Sequence, residues 1–256
     1  MKRLLICLFL FSPLLKGEDK INILVVEHAT PEFPIKGTKM KLGDLDVPLS
    51  EHGREEARLL KRQMEKCGIT FDVLFSSDLE RAEETAQILA SGTGVEVETL
   101  RVLRETNKGD LQGLTQQQYR QRDSYKIYKA LGTRERFFAP MGAGDRTQTK
   151  ADLAGELIPF LEFLRKSDTL YGKTILIVTH GNPWKVIDIL SRNPESFDTS
   201  KSLRNRLTII PGYSSPKSCE LFLYTLDKTS FKGLGQLHLS NTGETHLTPV
   251  KFKSTS

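Results

Sequence analysis

Three short runs rich in Ile, Leu, Val and Phe, at residues 21–26, 71–75 and 174–178, most constrain how this chain can fold. A strand that is apolar throughout, rather than at alternate positions, has no face to offer water and must be covered on both sides. The covers are legible between the runs. Ser50 is placed to cap a helix in which Ala57, Leu60, Met64 and Cys67 recur at helical spacing and which Gly68 ends. Residues 78–90 put Leu79, Ala82, Ala86 and Leu89 on one face, residues 150–166 read as helical despite Pro159, and residues 182–190 accept Pro183 in a first turn. Strands alternating with such helices predict an α/β three-layer sandwich: a mostly parallel, doubly wound sheet with helices on both faces. Residues 207–210, 220–226 and 236–239 are short strand-like runs set among Gly, Pro, Ser and Asn, and are expected as antiparallel C-terminal edge strands. Residues 107–148 fit the alternation least. Their polar helical stretch at 115–129 and Gly-rich stretch at 141–144 suggest a lid or insertion within a single domain spanning 18–256.

The first seventeen residues read as a secretory signal, with Lys2 and Arg3 ahead of an apolar run broken only by Ser12 and Pro13. That run is too short for a stable membrane span, so export to a periplasmic or extracellular space is expected. Lys and Arg outnumber Asp and Glu by 37 to 32, but Lys2, Arg3 and Lys16 belong to the leader, which leaves 34 against 32. So small an excess argues for no nucleic-acid partner. Beyond Cys7 in the leader only Cys67 and Cys219 remain, read as two separate thiols. With no paired cysteines and no H-E-x-x-H arrangement, neither a metal nor another cofactor is expected.

In an open parallel sheet, ligands sit beyond the carboxyl ends of the strands. There the first run ends in Glu27-His28, the second in Ser76-Ser77-Asp78 with Arg81 one turn later, and the third in Thr179-His180-Gly181. Two imidazoles and a guanidinium suit phosphoryl transfer: one neutral imidazole attacks phosphorus while the other groups hold the equatorial oxygens. A carboxylic acid must protonate the departing oxygen, and Glu105 is a candidate by position. From these residues alone, a paired-histidine site and two independent structural histidines both remain open.

Five segments in order resemble the histidine phosphatase superfamily, the phosphoglycerate mutase-like group. The R-H-G/A motif is represented by Glu27-His28-Ala29, and D-x-P-L-S/T-x-x-G by Asp46, Pro48, Leu49, Ser50 and Gly53. The S-S-D-L-x-R-A-x-x-T-A motif is intact from Ser76 through Arg81 to Ala86. An L-R-E stretch follows at Leu103-Arg104-Glu105, with Gly109, Gly113 and Thr115 in place, and the final motif is Thr179-His180-Gly181. The resemblance implies that His28 is the nucleophile, that Arg81, His180 and the backbone of Gly181 bind phosphate, and that Glu105 is the proton donor. It implies a phosphomonoester hydrolase acting through a phosphohistidine on a small phosphorylated substrate. His52, His238 and His246 match no motif and read as surface or turn residues.

Glu27 departs from the pattern, placing a carboxylate where the family has an arginine. Two unit charges about 4 Å apart interact by roughly 4 kcal/mol at an effective dielectric of about 20, enough to remove most phosphate affinity. Three compensations are open: Glu27 turns aside, Glu27 is protonated, or Lys36, Lys39 or Lys41 enters the pocket. The alternative function is a catalytically silent domain whose cleft binds something else.

Overall fold

The computed structural model describes residues 17–35, 37–212 and 216–250, so the expected leader lies outside the described residues apart from Gly17. Seven strands form one sheet: β1 (Ile21–Glu27), β2 (Val73–Ser76), β3 (Val97–Thr99), β4 (Thr174–Thr179), β5 (Leu221–Leu226), β6 (Phe231–Leu239) and β7 (Thr245–Thr248). They lie in the order β3-β2-β4-β1-β5-β6-β7, the first four parallel and the last three antiparallel. The expected α/β architecture with an antiparallel C-terminal edge is therefore present.

Alternation along the central strands divides the core in two. Ile21, Ile23 and Val25 of β1, with Ile175 and Ile177 of β4, face α5 (Lys150–Lys166) and α6 (Gly181–Arg192). Leu24, Val26, Leu176 and Val178 face the other way, against α1 (Glu51–Lys66) and α2 (Glu80–Ala90). Both faces of β1 and β4 are thus dry, and each buried Val, Leu or Ile contributes about 1.5–3 kcal/mol relative to exposure. Pro159 lies on the exposed side of an unbroken α5, where its missing N–H is tolerated.

The remaining helices are α3 (Gln116–Gln121), α4 (Asp123–Ala130) and α7 (Leu203–Arg206). The helix expected at 115–129 is thus interrupted at the extended residue Arg122, and the second piece turns so that Tyr128 is buried. Residues 207–210 do not form the expected strand. Their backbone bonds to a side chain instead: Asn193 Oδ1 accepts from Ile209 N–H at 2.8 Å, and Asn193 Nδ2 donates to Ile209 O at 2.9 Å. β6 starts five residues earlier than expected, its apolar pattern masked by Gly233 and Gly235 at a bulge opposite Leu223/Tyr224. Of the residues read as surface or turn positions, His246 is exposed and His238 is half-buried, and the two stack as a cross-strand pair of β6 and β7 with 4.6 Å between ring centroids. Cys67 and Cys219 are separate free thiols. Among the described residues no helix is long and apolar enough to cross a membrane.

The loop leaving β1 is pinned to the start of α1. Thr30 O accepts from both the N–H and the hydroxyl of Ser50, at 3.1 and 3.0 Å, while Ser50 Oγ caps the helix by accepting from Gly53 N–H. A Cβ on Gly53 would lie 2.0 Å from Thr30 O, a backbone atom two residues beyond His28. Gly53→Ala is therefore expected to lower stability by about 1–3 kcal/mol through overpacking. Gly155→Ala, where a Cβ meets nothing within 4 Å, should instead stabilise by about 0.5–1 kcal/mol. Denaturant unfolding of both variants checks the contrast.

Candidate active site

β1 and β4 pair in parallel with Glu27 opposite Thr179, and His28 N–H donates to Thr179 O at 3.0 Å. This register brings out His28 and His180 at the same sheet edge, with ring centroids 4.9 Å apart. β2 lies on the other side of β4, so Ser77 and the start of α2 complete the same edge.

His28 Nδ1 lies 2.7 Å from Ala29 O, an acceptor, so Nδ1 carries the proton and Nε2 presents its lone pair. Arg81 Nε donates to that Nε2 at 3.2 Å. Burial and the Arg81 charge bring His28 down to about 3, so the imidazole is neutral through the physiological range. Arg81 is 1% exposed, and its other nitrogens donate to Leu45 O and Gly43 O at 2.7 and 2.8 Å. His180 is equally enclosed: Nε2 lies 2.8 Å from Ser77 Oγ, while Nδ1 is buried without a partner among the described residues. Burial, then Arg81, holds His180 well below its ordinary value. An unpaired Nδ1 that carries a proton is suited to a phosphoryl oxygen.

Glu105 is bound at both oxygens. Oε1 accepts from Thr106 N–H at 2.7 Å and from Lys108 Nζ at 3.2 Å, and Oε2 accepts from Asn182 N–H at 3.2 Å. Burial opposes ionisation, but Lys108 and these N–H donors outweigh it and bring the carboxyl down to about 2. In the ligand-free protein Glu105 is thus an anion, and acid catalysis requires that it gain a proton when a phosphoryl group offsets the Lys108 field. Gly181 opens α6 beside Glu27; a Cβ there would lie 3.6 Å from Glu27 Oε1. Among the described residues no group of three or more His, Cys, Asp or Glu is placed to hold a metal ion.

Glu27 does not turn aside. Its Oε1 lies 4.0 Å from His28 Nε2, and its Oε2 is buried without a hydrogen bond among the described residues. Of the three lysines considered, Lys36 lies outside the described residues and Lys39 is exposed, while Lys41 is half-buried with its ammonium over the Tyr119 ring. Three further lysines escaped sequence reasoning. Lys108 is 5% exposed, Lys150 Nζ donates to Tyr128 OH and Arg136 O, and Lys185 projects from α6. Lys108 carried a usable signal, three residues after Glu105; Lys150 and Lys185 sit in helices with no local mark of function.

Burial is the main reason that Lys41, Lys150 and Lys185 each fall from 10.5 to about 8, with Lys108 adding repulsion and Glu105 opposing it. Between those values the folded protein holds fewer protons than the unfolded chain, so this cluster makes stability rise as pH rises from about 8 to about 10.5. Below about 8 the cations are charged and their penalty is complete. A bound oxyanion relieves that penalty, so sulfate should raise the thermal midpoint more at about pH 7 than at about pH 9.5. Equal shifts in thermal melts at the two pH values would count against a cationic oxyanion site.

Comparisons with known proteins place the chain in a family. The model of the histidine phosphatase superfamily (branch 1) matches residues 23–209. Phosphoglycerate mutase-like protein 4 of Arabidopsis thaliana is 34% identical over 164 residues, covering 64% of this chain and 67% of the relative. A 2,3-bisphosphoglycerate-dependent phosphoglycerate mutase of Bartonella bacilliformis is 29% identical over 172 residues, 65% of this chain and 79% of that one. Among solved structures, mycobacterial glucosyl-3-phosphoglycerate phosphatase complexed with VO3 superposes with a TM-score of 0.62 at 22% identity, covering 83% of this chain and 96% of that one. A putative alpha-ribazole-5'-P phosphatase of Escherichia coli K-12 gives 0.62 at 18% identity, covering 88% and 97%. These two share the fold. With the matched family model spanning most of the chain and the paired-histidine edge in place, the chain belongs to the histidine phosphatase superfamily, branch 1, a family of phosphoryl-transfer enzymes.

Proposed function

We propose that the chain is a phosphomonoester hydrolase that turns over through a phosphohistidine at His28. The observation that carries this is the state of the His28 ring: Nδ1 is held by Ala29 O, and the unprotonated Nε2 accepts from Arg81 Nε, a donor that must pass to a phosphoryl oxygen as Nε2 attacks. In this reading Nε2 forms a bond to phosphorus as the ester P–O bond breaks. Arg81, His180 and the Gly181 N–H contact the equatorial oxygens, and Glu105, protonated once substrate is bound, gives its proton to the departing oxygen. Water then attacks the phosphohistidine, with Glu105 taking the proton back, and releases inorganic phosphate. The catalytically silent alternative raised by Glu27 finds no support in the comparisons, whose named proteins are phosphatases and mutases. We also infer export, with residues 1–17 as the leader; this rests on their basic start and short apolar run alone.

Turnover of a labelled aryl phosphate quenched with denaturant at alkaline pH should trap label on His28 that is stable to base and lost in acid, and none on His28→Ala. A stable phosphoserine, or label that survives the substitution, would overturn the mechanism. Glu105→Gln is expected to slow esters with poor leaving groups by about 10²-fold or more while changing activated esters little. Equal losses on both would remove Glu105 from the proton-donor role.

A further inference from the structure

Glu27, beside His28, departs from the R-H-G/A motif that the neighbouring residues resemble, and the structure shows how its side chain is placed. Glu27 is the last residue of β1, clamped on both sides: Glu27 N–H donates to Glu220 O at 3.3 Å, Cys219 N–H donates to Glu27 O at 3.0 Å, and β4 pairs with it through Thr179. Strand alternation sends its side chain to the same face as Ile23 and Val25, beside Gly181 at the start of α6. One carboxyl oxygen then stands 4.0 Å from His28 Nε2, and the other is buried with no donor reaching it among the described residues. A phosphoryl group in line with Nε2 places its equatorial oxygens within hydrogen-bond reach of such a carboxyl.

As an anion, that carboxyl repels the phosphoryl oxygens. As a neutral acid it becomes a donor aimed at them. We propose that Glu27 works as a neutral carboxylic acid whose hydroxyl donates a hydrogen bond to a phosphoryl oxygen held over His28, taking the place of the guanidinium at this position in the family motif. The proposal rests on reading the cleft as a phosphoryl site, and adds the means by which this chain binds phosphate without that arginine. An acid–oxyanion hydrogen bond is short and strong in a dry site, and it neutralises charge by sharing a proton instead of supplying a cation.

The groups around Glu27 favour this state on balance. Burial is the largest influence holding its carboxyl well above the ordinary range, and Glu105 and Glu220 push the same way. Lys185 from α6 and Arg81 from α2 oppose them. His28 and His180 are neutral imidazoles, and burial pushes the adjacent Cys219 thiol up to about 12, so none of these three adds charge. The Glu27 and Glu105 carboxyls are thereby shifted in opposite directions, the former raised by burial and the latter held low by Lys108 and N–H donors.

Sulfate tests the idea, because it stays a dianion while the protein titrates and is never turned over. Its binding to wild type, Glu27→Gln and Glu27→Ala is measured by calorimetry from about pH 5 to about pH 9, in buffers of different ionisation heat. Glu27→Gln keeps a donor at every pH. The ratio of wild-type to Gln affinity should fall about tenfold per pH unit above the carboxyl's own pKa, with more protons taken up by wild type there. Glu27→Ala should bind more weakly than wild type at the acid end and show no such extra uptake, which preserves the test should the Gln protein prove unstable. Glu27→Ala binding sulfate as tightly as wild type, or more tightly, at the acid end would overturn this proposal while leaving the hydrolase reading intact. Failure of sulfate to bind any of the proteins would overturn both. Loss of the phosphoenzyme with the pH-dependent ratio preserved would overturn only the hydrolase.

Discussion

The parallel pairing of β1 with β4 is the constraint on which the site depends. It sets Glu27 opposite Thr179, so that the next residue on each strand is a histidine, and the His28 N–H bond to Thr179 O continues the ladder one step beyond the strand. A slip of one residue would invert the facing of every side chain on β1, exchanging Val25 with Val26 between the two cores and turning the nucleophile away. The apolar content of the strands therefore serves more than stability. By making the wrong register costly on both faces at once, it holds two imidazoles at a separation suited to a single phosphorus.

Around that edge the charges are arranged unevenly. Arg81, Lys41, Lys108, Lys150 and Lys185 are set around Glu105, whose carboxyl Lys108 and N–H donors hold low, and Glu27, whose carboxyl burial raises. An excess of cations in a desolvated cleft is unfavourable until an anion arrives, so much of the attraction for a phosphoryl group is stored before it binds. The lysines also show how cations can gather beside Glu27: they are drawn from α5, α6 and the loops at 41 and 108.

The parallel half of the sheet and the paired histidines were legible because burial on both faces leaves an uninterrupted apolar run, and the chemistry sits where each run stops. What was hidden had another cause. β3 is only three residues long, with Glu98 and Thr99 exposed at the sheet edge, and carries no pattern to detect. The stretch at 207–210 has strand-like composition, but the Ile209 backbone bonds to the Asn193 side chain, sixteen residues away, and Leu207 O accepts from Arg134, partners that no local pattern announces. Lys150 and Lys185 are similar: each is an ordinary helical lysine until the tertiary fold turns it toward Glu105. Glu27 was conspicuous, yet its ionisation state follows from burial, which the sequence does not display.

Arg81 is held by Gly43 O and Leu45 O, carbonyls of the loop that precedes α1. That loop is in turn stitched to the segment beyond Glu105: Lys41 N–H donates to Leu114 O, Gly113 N–H donates to Lys41 O, and Met40 bridges to Thr115. The guanidinium that contacts His28 Nε2 therefore takes its bearing from the segment beyond Glu105. Reshaping that segment for a bulkier or differently charged alcohol also displaces the carbonyls that orient the guanidinium. Under the proposed function, substrate range and intrinsic reactivity are therefore mechanically linked, and a lineage exploring new substrates would have to re-aim Arg81 each time it moved.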